Sequence, residues 1–66
     1  MKESRLASIR KSAGMTQAQL AEASGVNIRQ IQKFESGEYK PENMTAKNLL
    51  AIADALGVDP HILLEG

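Results

Sequence analysis

Apolar residues recur along this chain at three- and four-residue intervals, and no segment shows a strand's alternation between turn signals. Leu6, Ile9 and Ala13 stand at i, i+3 and i+7 with Gly14 after them, which predicts a first helix that stops there. Thr16 with Gln19 three residues on is a capping-box pair that opens a second helix over 17–24, closed by Gly25. Asn27 with Gln30 repeats the start signal for a third helix, which stops at Gly37. The stretch "GEYKPEN" reads as a loop, because Pro41 cannot continue a helix. Met44, Thr45 and Leu49 have the spacing of a hydrophobic staple around a Thr45 cap, and the fourth helix it opens runs to Leu56 and meets Gly57. Asp59-Pro60 is an N-cap followed by proline at the first helical position, so a short fifth helix covers "PHILLE", with Val58 and Leu63 repeating the staple spacing. The expected fold is all-α: five short helices in a single domain over residues 1–66.

Size and composition narrow what such a domain can do. At 66 residues only about 60% of the unfolded chain's surface is buried on folding, so every apolar position matters. With no cysteine, disulfides, thiolate zinc sites and cysteine nucleophiles are excluded together. The same composition suits a reducing cytoplasm. No apolar run approaches the ~18 residues of a membrane span, and the N-terminus has no signal-peptide hydrophobic region. The expectation is a small soluble cytoplasmic module with no membrane contact. Its net charge is zero, but residues 1–40 hold seven basic groups against four acidic ones, and residues 41–66 one against four. The first half is therefore +3 and the second −3, an asymmetry that suits an anionic partner for the first half and equally suits chance and solubility.

The third helix carries the candidate chemistry. At 100° per residue Ile31 and Phe34 share its buried face, Arg29 and Ser36 point roughly opposite, Gln32 and Lys33 flank them, and Ile28 sits at the boundary. A helix about 10–12 Å across fits the B-DNA major groove, where Arg and Lys donate to guanine O6/N7 and amides pair with adenine. Any amphipathic helix has a polar outer face, so the helix alone leaves DNA contact and plain solvation both open. The turn before it adds to the first reading. Gly25 supplies the positive φ that a tight helix-to-helix turn demands, Val26 can anchor the turn to the core, and Ala21 is small enough for close crossing.

The stretch "TQAQLAEASGVNIRQIQKFESG", residues 16–37, resembles the helix-turn-helix of phage-repressor/Cro-type (XRE-like) DNA-binding domains. The flanks agree: a basic first helix before "GMTQ", a loop holding Lys40-Pro41, then "LLAIADALGVDPHILL". The resemblance covers residues 5–64 and rests on the Gln17-x-x-Leu20-Ala21 start, the Gly25 turn and the Glu35-x-Gly37 ending in combination. It implies a compact five-helix, lambda-repressor-like fold with its motif at about residues 16–36. It also implies a bacterial or phage transcriptional regulator, a repressor, whose third helix lies in the major groove of a short palindromic operator. By matching positions, Ile28, Arg29 and Lys33 are the expected base contacts, with Asn27 and Gln32 at the margin. Thr16, Gln17, Ser36 and Lys40 are the expected phosphate contacts; Gln17 stands at a helix N-terminus, where free N–H groups favour an anion. Arg10 and Glu35 match an ion bridge between the first and third helices, and both fall at the edge of their helices' apolar faces. Three positions depart from the pattern. Ser24 replaces an apolar residue and suggests looser packing under the turn, Ile28 replaces a polar one, and the loop "EYKPENMT" is slightly long.

Two other classes compete. One is an antitoxin-type or protein-interaction helix-turn-helix module whose main partner is another protein, which the neutral net charge favours and the basic first half opposes. The other is an enzyme. His61 is the single histidine, at the second position of the last helix, where a surface or capping role is expected. Glu35 and Glu38 are close enough for acid–base work but sit beside Arg10, and no metal-ligand cluster, cofactor motif or nucleophilic triad exists. Neither an enzyme nor a cofactor is expected. Met44, Leu49, Leu50, Ile52, Ala53, Leu56 and Val58 read as core with a share of dimer surface. One face of the last helix cannot bury Ile62, Leu63 and Leu64 together, and such a surplus points to association. A homodimer is expected, since two-fold proteins read half-sites about 10 bp apart.

Overall fold

A computed structural model describes residues 4–64. Its α-helices are α1 (Arg5–Ser12), α2 (Gln17–Ser24), α3 (Ile28–Ser36), α4 (Ala46–Leu56) and α5 (Pro60–Leu64). A 3-10 turn, Pro41–Asn43, lies between α3 and α4 within the stretch expected to be plain loop. Pro41 explains it: a fixed φ and a missing N–H suit the first position of a short helical turn as well as they forbid a helix interior. The extension of the last helix to Glu65 lies outside the described residues. No helix among the described residues is long and apolar enough to cross a membrane.

Local chemistry places the helix ends. Thr16 Oγ1 accepts the Gln19 N–H at 3.1 Å while Gln19 Oε1 accepts the Thr16 N–H at 2.8 Å, so the expected capping box forms. Asn27 caps α3 differently. Its Oδ1 accepts from the Arg29 N–H at 2.8 Å, and Gln30 does not reach back. Gln30 Oε1 instead accepts from Asn48 Nδ2 at 3.1 Å, because α4 brings a donor within its reach. Thr45 caps α4 through the Asn48 N–H.

The helices close around Leu6, Leu20, Val26, Ile31, Phe34, Ile52, Ala53, Leu56 and Leu63. Leu20, Ile31 and Ile52 are wholly buried; each such side chain contributes about 1.5–3 kcal/mol of burial. They come from α2, α3 and α4, so the centre of the core is the triangle in which α2 packs on both α3 and α4. α1 packs on α3, and α5 on α4 and the 3-10 turn. Met44, Leu49 and Val58 are half-buried around this cluster, but Leu50, read with the core from sequence, is 57% exposed. Of the three apolar residues in α5 only Leu63 is buried; Ile62 is half-buried and Leu64 exposed, as one helical face requires.

Candidate nucleic-acid interface

Between α2 and α3 the chain turns in residues 24–27. Gly25 adopts φ 76°, ψ 9° and donates its N–H to the Ala21 carbonyl at 2.9 Å. A Cβ at this position would meet nothing within 4 Å, so glycine is required by the backbone angle and not by space. Val26, 6% exposed, pins the turn to the core. Ser24, expected to leave loose packing, instead closes the turn with hydrogen bonds. Its Oγ donates to the Leu20 carbonyl at 2.7 Å and accepts the Val26 N–H at 3.2 Å, so a hydroxyl replaces apolar contact with satisfied polar contact.

Ile31 and Phe34 anchor α3 inward, and Arg29, Gln32 and Ser36 are exposed on its outer side. Ile28 and Lys33 are half-buried at its flanks, and Asn27 is exposed at its start. The orientation of this face is held by the pair expected between α1 and α3. Arg10 Nε and Nη2 donate to Glu35 Oε2 and Oε1 at 2.6 and 3.0 Å, and Arg10 Nη1 donates to the Met15 carbonyl at 2.7 Å. Both side chains are at most one-tenth exposed, which makes this a bidentate, desolvated pair that specifies geometry more than it adds net stability.

The expected phosphate residues fall into two groups. Gln17 Nε2 donates to Glu35 Oε1 at 2.9 Å, and Gln17 Oε1 accepts a long 3.4 Å bond from Gln32 Nε2. An amide chain thus runs from the buried ion pair to the outer face of α3. With the capping box holding the N–H groups of Thr16 and Gln19, no group among the described residues accepts those of Gln17 and Ala18. They stand open at the positive end of α2. At the C-terminal end of α3, Ser36 Oγ donates to the Lys33 carbonyl and accepts the Glu38 N–H, which makes it a cap of the helix. Lys40 is exposed, with its backbone carbonyl held by the Asn43 N–H.

Sequence reasoning missed the surroundings of Lys33. Gly37 turns the chain back at φ 86°, and the Tyr39 N–H reaches the Lys33 carbonyl at 3.2 Å. The Lys33 ammonium then lies 3.3 Å from the Tyr39 hydroxyl, 3.4 Å from Glu38 Oε2 and 5.1 Å from the centre of the Tyr39 ring. That ring meets Phe34 edge-on, with centroids 5.5 Å apart. The Tyr39 hydroxyl, and after it the Glu38 carboxylate, raise the Lys33 pKa above its ordinary 10.5. The available signal was Gly37 followed by an acid and an aromatic, since a left-handed helix end folds the next residues onto the last turn.

At the far end of the molecule, exposed His61 packs its ring Nδ1 3.0 Å from Asp59 Oδ1, which also accepts the His61 N–H. These contacts lower the Asp59 pKa, the backbone N–H first. Among the described residues no three acidic or histidine side chains converge as metal ligands would.

The family model described as helix-turn-helix matches residues 6–63. The cryptic phage CTXphi transcriptional repressor RstR of Vibrio cholerae is 46% identical over 54 residues, covering 82% of this chain and 46% of that protein. The HTH-type transcriptional regulator y4aM of Sinorhizobium fredii is 41% identical over 56 residues, 85% of this chain and 37% of that one. The chain therefore spans less than half the length of these curated relatives. Among solved structures, the restriction-modification controller protein C.AhdI from Aeromonas hydrophila superposes with a TM-score of 0.78 at 32% identity, covering 89% of this chain and 85% of that one.

Proposed function

Because the chain belongs to the helix-turn-helix family, with residues 6–63 matching, we propose that it is the DNA-binding part of a transcriptional regulator whose α3 reads a short operator in the major groove. The observation that carries this is the mounting of α3: a bidentate buried ion pair and a hydrogen-bonded turn hold its polar face outward. On this reading Arg29 and Lys33 donate to base edges, Ile28 packs on a thymine methyl, and Asn27 and Gln32 contact the margin. The open N–H groups of Gln17 and Ala18 take a phosphate, with Thr16, Ser36 and Lys40 along the same backbone path. The repressor name of the Vibrio cholerae relative supports repression as the outcome.

The operator on this reading is palindromic and the reader a homodimer. Leu50 and Leu64, 57% and 41% exposed on α4 and α5, offer apolar surface to a second copy. A protein-interaction role without DNA is the competing outcome. Selection from a random duplex pool at about 0.15 M salt, a screening strength at which generic contacts weaken, decides between them. An enriched palindrome with half-sites one turn apart supports a dimeric reader, and retention of no duplex refutes DNA binding. On the selected operator Arg29→Ala costs about 1–3 kcal/mol and relaxes one base position. Lys40→Ala weakens all duplexes alike and lowers the salt slope by about one; equal losses on every sequence for Arg29→Ala would refute its base assignment.

A further inference from the structure

We propose that Glu38 and Tyr39, which lie beyond the end of α3, are positioning residues that set the specificity of Lys33, the carboxylate shielding its ammonium from generic phosphate and the tyrosine aiming it. This rests on the DNA-binding reading above and goes further, because it assigns discrimination to two residues outside the reading helix.

A lysine is by itself a poor reader of bases. Its ammonium is a point charge on a flexible stem of four carbons, and it meets any nearby phosphate as readily as a base edge. Here the ammonium is met by two residues. The Tyr39 hydroxyl and the Glu38 carboxylate stand 3.3 and 3.4 Å from the nitrogen, which lies 5.1 Å from the centre of the Tyr39 ring. Tyr39 is itself held, by its edge-on contact with Phe34 in the core and by its N–H on the Lys33 carbonyl. Glu38 is held by its N–H on Ser36 Oγ. The holder is therefore part of the helix-ending turn and keeps its place relative to α3.

The two members act differently on DNA. Generic binding is driven by the cations that neutralise phosphate, and a carboxylate beside Lys33 cancels much of that cation's contribution. A guanine edge presented at close range supplies a replacement acceptor for the same ammonium, so only a matching site releases Lys33 from Glu38. The side chains of Lys33 and Glu38 are both about half exposed, and the exchange therefore costs little. Tyr39 meets the ammonium with a hydroxyl and an aromatic ring in place of a carboxylate, and affects direction alone.

The test compares wild type, Glu38→Gln, Tyr39→Phe and Tyr39→Leu, with Glu42→Gln as an exposed acid on the neighbouring 3-10 turn. Binding to the selected operator, to its single-base variants and to a random duplex is measured across salt. Glu38→Gln is expected to tighten random-duplex binding and steepen its salt slope by about one, a gain about fourfold larger at roughly 0.05 M than at 0.2 M salt. Operator affinity rises less, so the ratio of specific to generic binding falls. Tyr39→Leu flattens discrimination at one base pair without moving the slope, and Tyr39→Phe does so partially. Without DNA, the ring current of Tyr39 on the Lys33 side-chain protons disappears in Tyr39→Leu and persists in Glu38→Gln. If Glu38→Gln and Glu42→Gln strengthen all duplexes by the same factor, Glu38 is only one more surface charge and the assignment fails. A wild type that binds its operator while every Tyr39 variant keeps full discrimination also overturns it. A wild type that retains no duplex refutes the DNA reading itself, and this inference with it.

Discussion

Lys33 and Glu35 stand two residues apart on α3, and each faces an opposite charge from another part of the chain. Glu35 meets Arg10 in a bidentate pair whose side chains are one-tenth exposed or less, and the Lys33–Glu38 pair stands at 45% and 60%. The buried pair cannot exchange partners. Removing either member takes a bidentate partner from a desolvated charge, so its geometry is enforced by the cost of losing that partner. The exposed pair has water as an alternative partner throughout, and it can give way to a ligand at little cost. One helix thus carries a rigid mount on one flank and an exchangeable contact on the other, and a hundred degrees of helical rotation per residue decides which is which.

The largest expected effect breaks the rigid side. Glu35→Ala destabilises the domain by about 3–5 kcal/mol, because the buried Arg10 guanidinium loses its bidentate contact with Glu35. For a chain this short, total stability of roughly 0.05–0.15 kcal/mol per residue makes that loss enough to unfold much of the population. Urea unfolding followed by circular dichroism measures it, and a loss below about 1 kcal/mol would mean that Arg10 escapes to solvent and the mount is not enforced. Replacing both partners, Arg10→Met with Glu35→Leu, recovers most of the stability while loosening the angle of α3. It does not recover all of it, since the Met15 carbonyl and the Gln17 amide each lose a partner.

A smaller change probes the connection between the two sides. Gln17→Ala removes one donor from Glu35 and the acceptor of Gln32, for a loss of about 0.5–1.5 kcal/mol in the same unfolding experiment. Lys33→Met, on the exposed side, leaves the unfolding midpoint unchanged within error; a clear shift would show that the Lys33 cluster supports the fold as well as its surface. The least effect is that of pH. The Lys33 pKa is raised above 10.5, chiefly by Tyr39, so any stability it confers is complete below 10.5 and lost only as pH climbs through the raised value. The Asp59 pKa is lowered below 3.8 by His61, so its contribution is complete above 3.8 and lost as pH falls through the lowered value. Between these limits neither group gives a slope in stability against pH, which a titration of thermal midpoints in wild type and Asp59→Ala checks at the acid end.

Much of the fold was legible because its signals are local. Thr16 and Gln19 cap each other across three residues, and Gly25 and Gly37 end helices through a backbone angle that only their own lack of a Cβ makes cheap. Such contacts form wherever the segment is helical, whatever surrounds it. Gln30 shows the limit. Its spacing from Asn27 is right for a second capping box, but α4 brings Asn48 within 3.1 Å and takes the side chain away. Leu50 and Ile52 show it again: both are apolar on α4, yet one is 57% exposed and the other wholly buried.

By itself, the sequence determined the five α-helices among the described residues, where the first four of them stop and the face of α3 that turns inward, since hydrophobic periodicity and capping act within a few residues. The Arg10–Glu35 bridge was legible as well, through a family resemblance that the edge positions of both residues supported. The tertiary structure alone decided which polar side chains are committed and which are open. It led Gln17 to Glu35, Gln30 to Asn48, and Glu38 with Tyr39 to Lys33. The reason is physical: a hydrogen bond between residues distant in the chain depends on where packed helices bring their surfaces, and no periodicity along the chain records that.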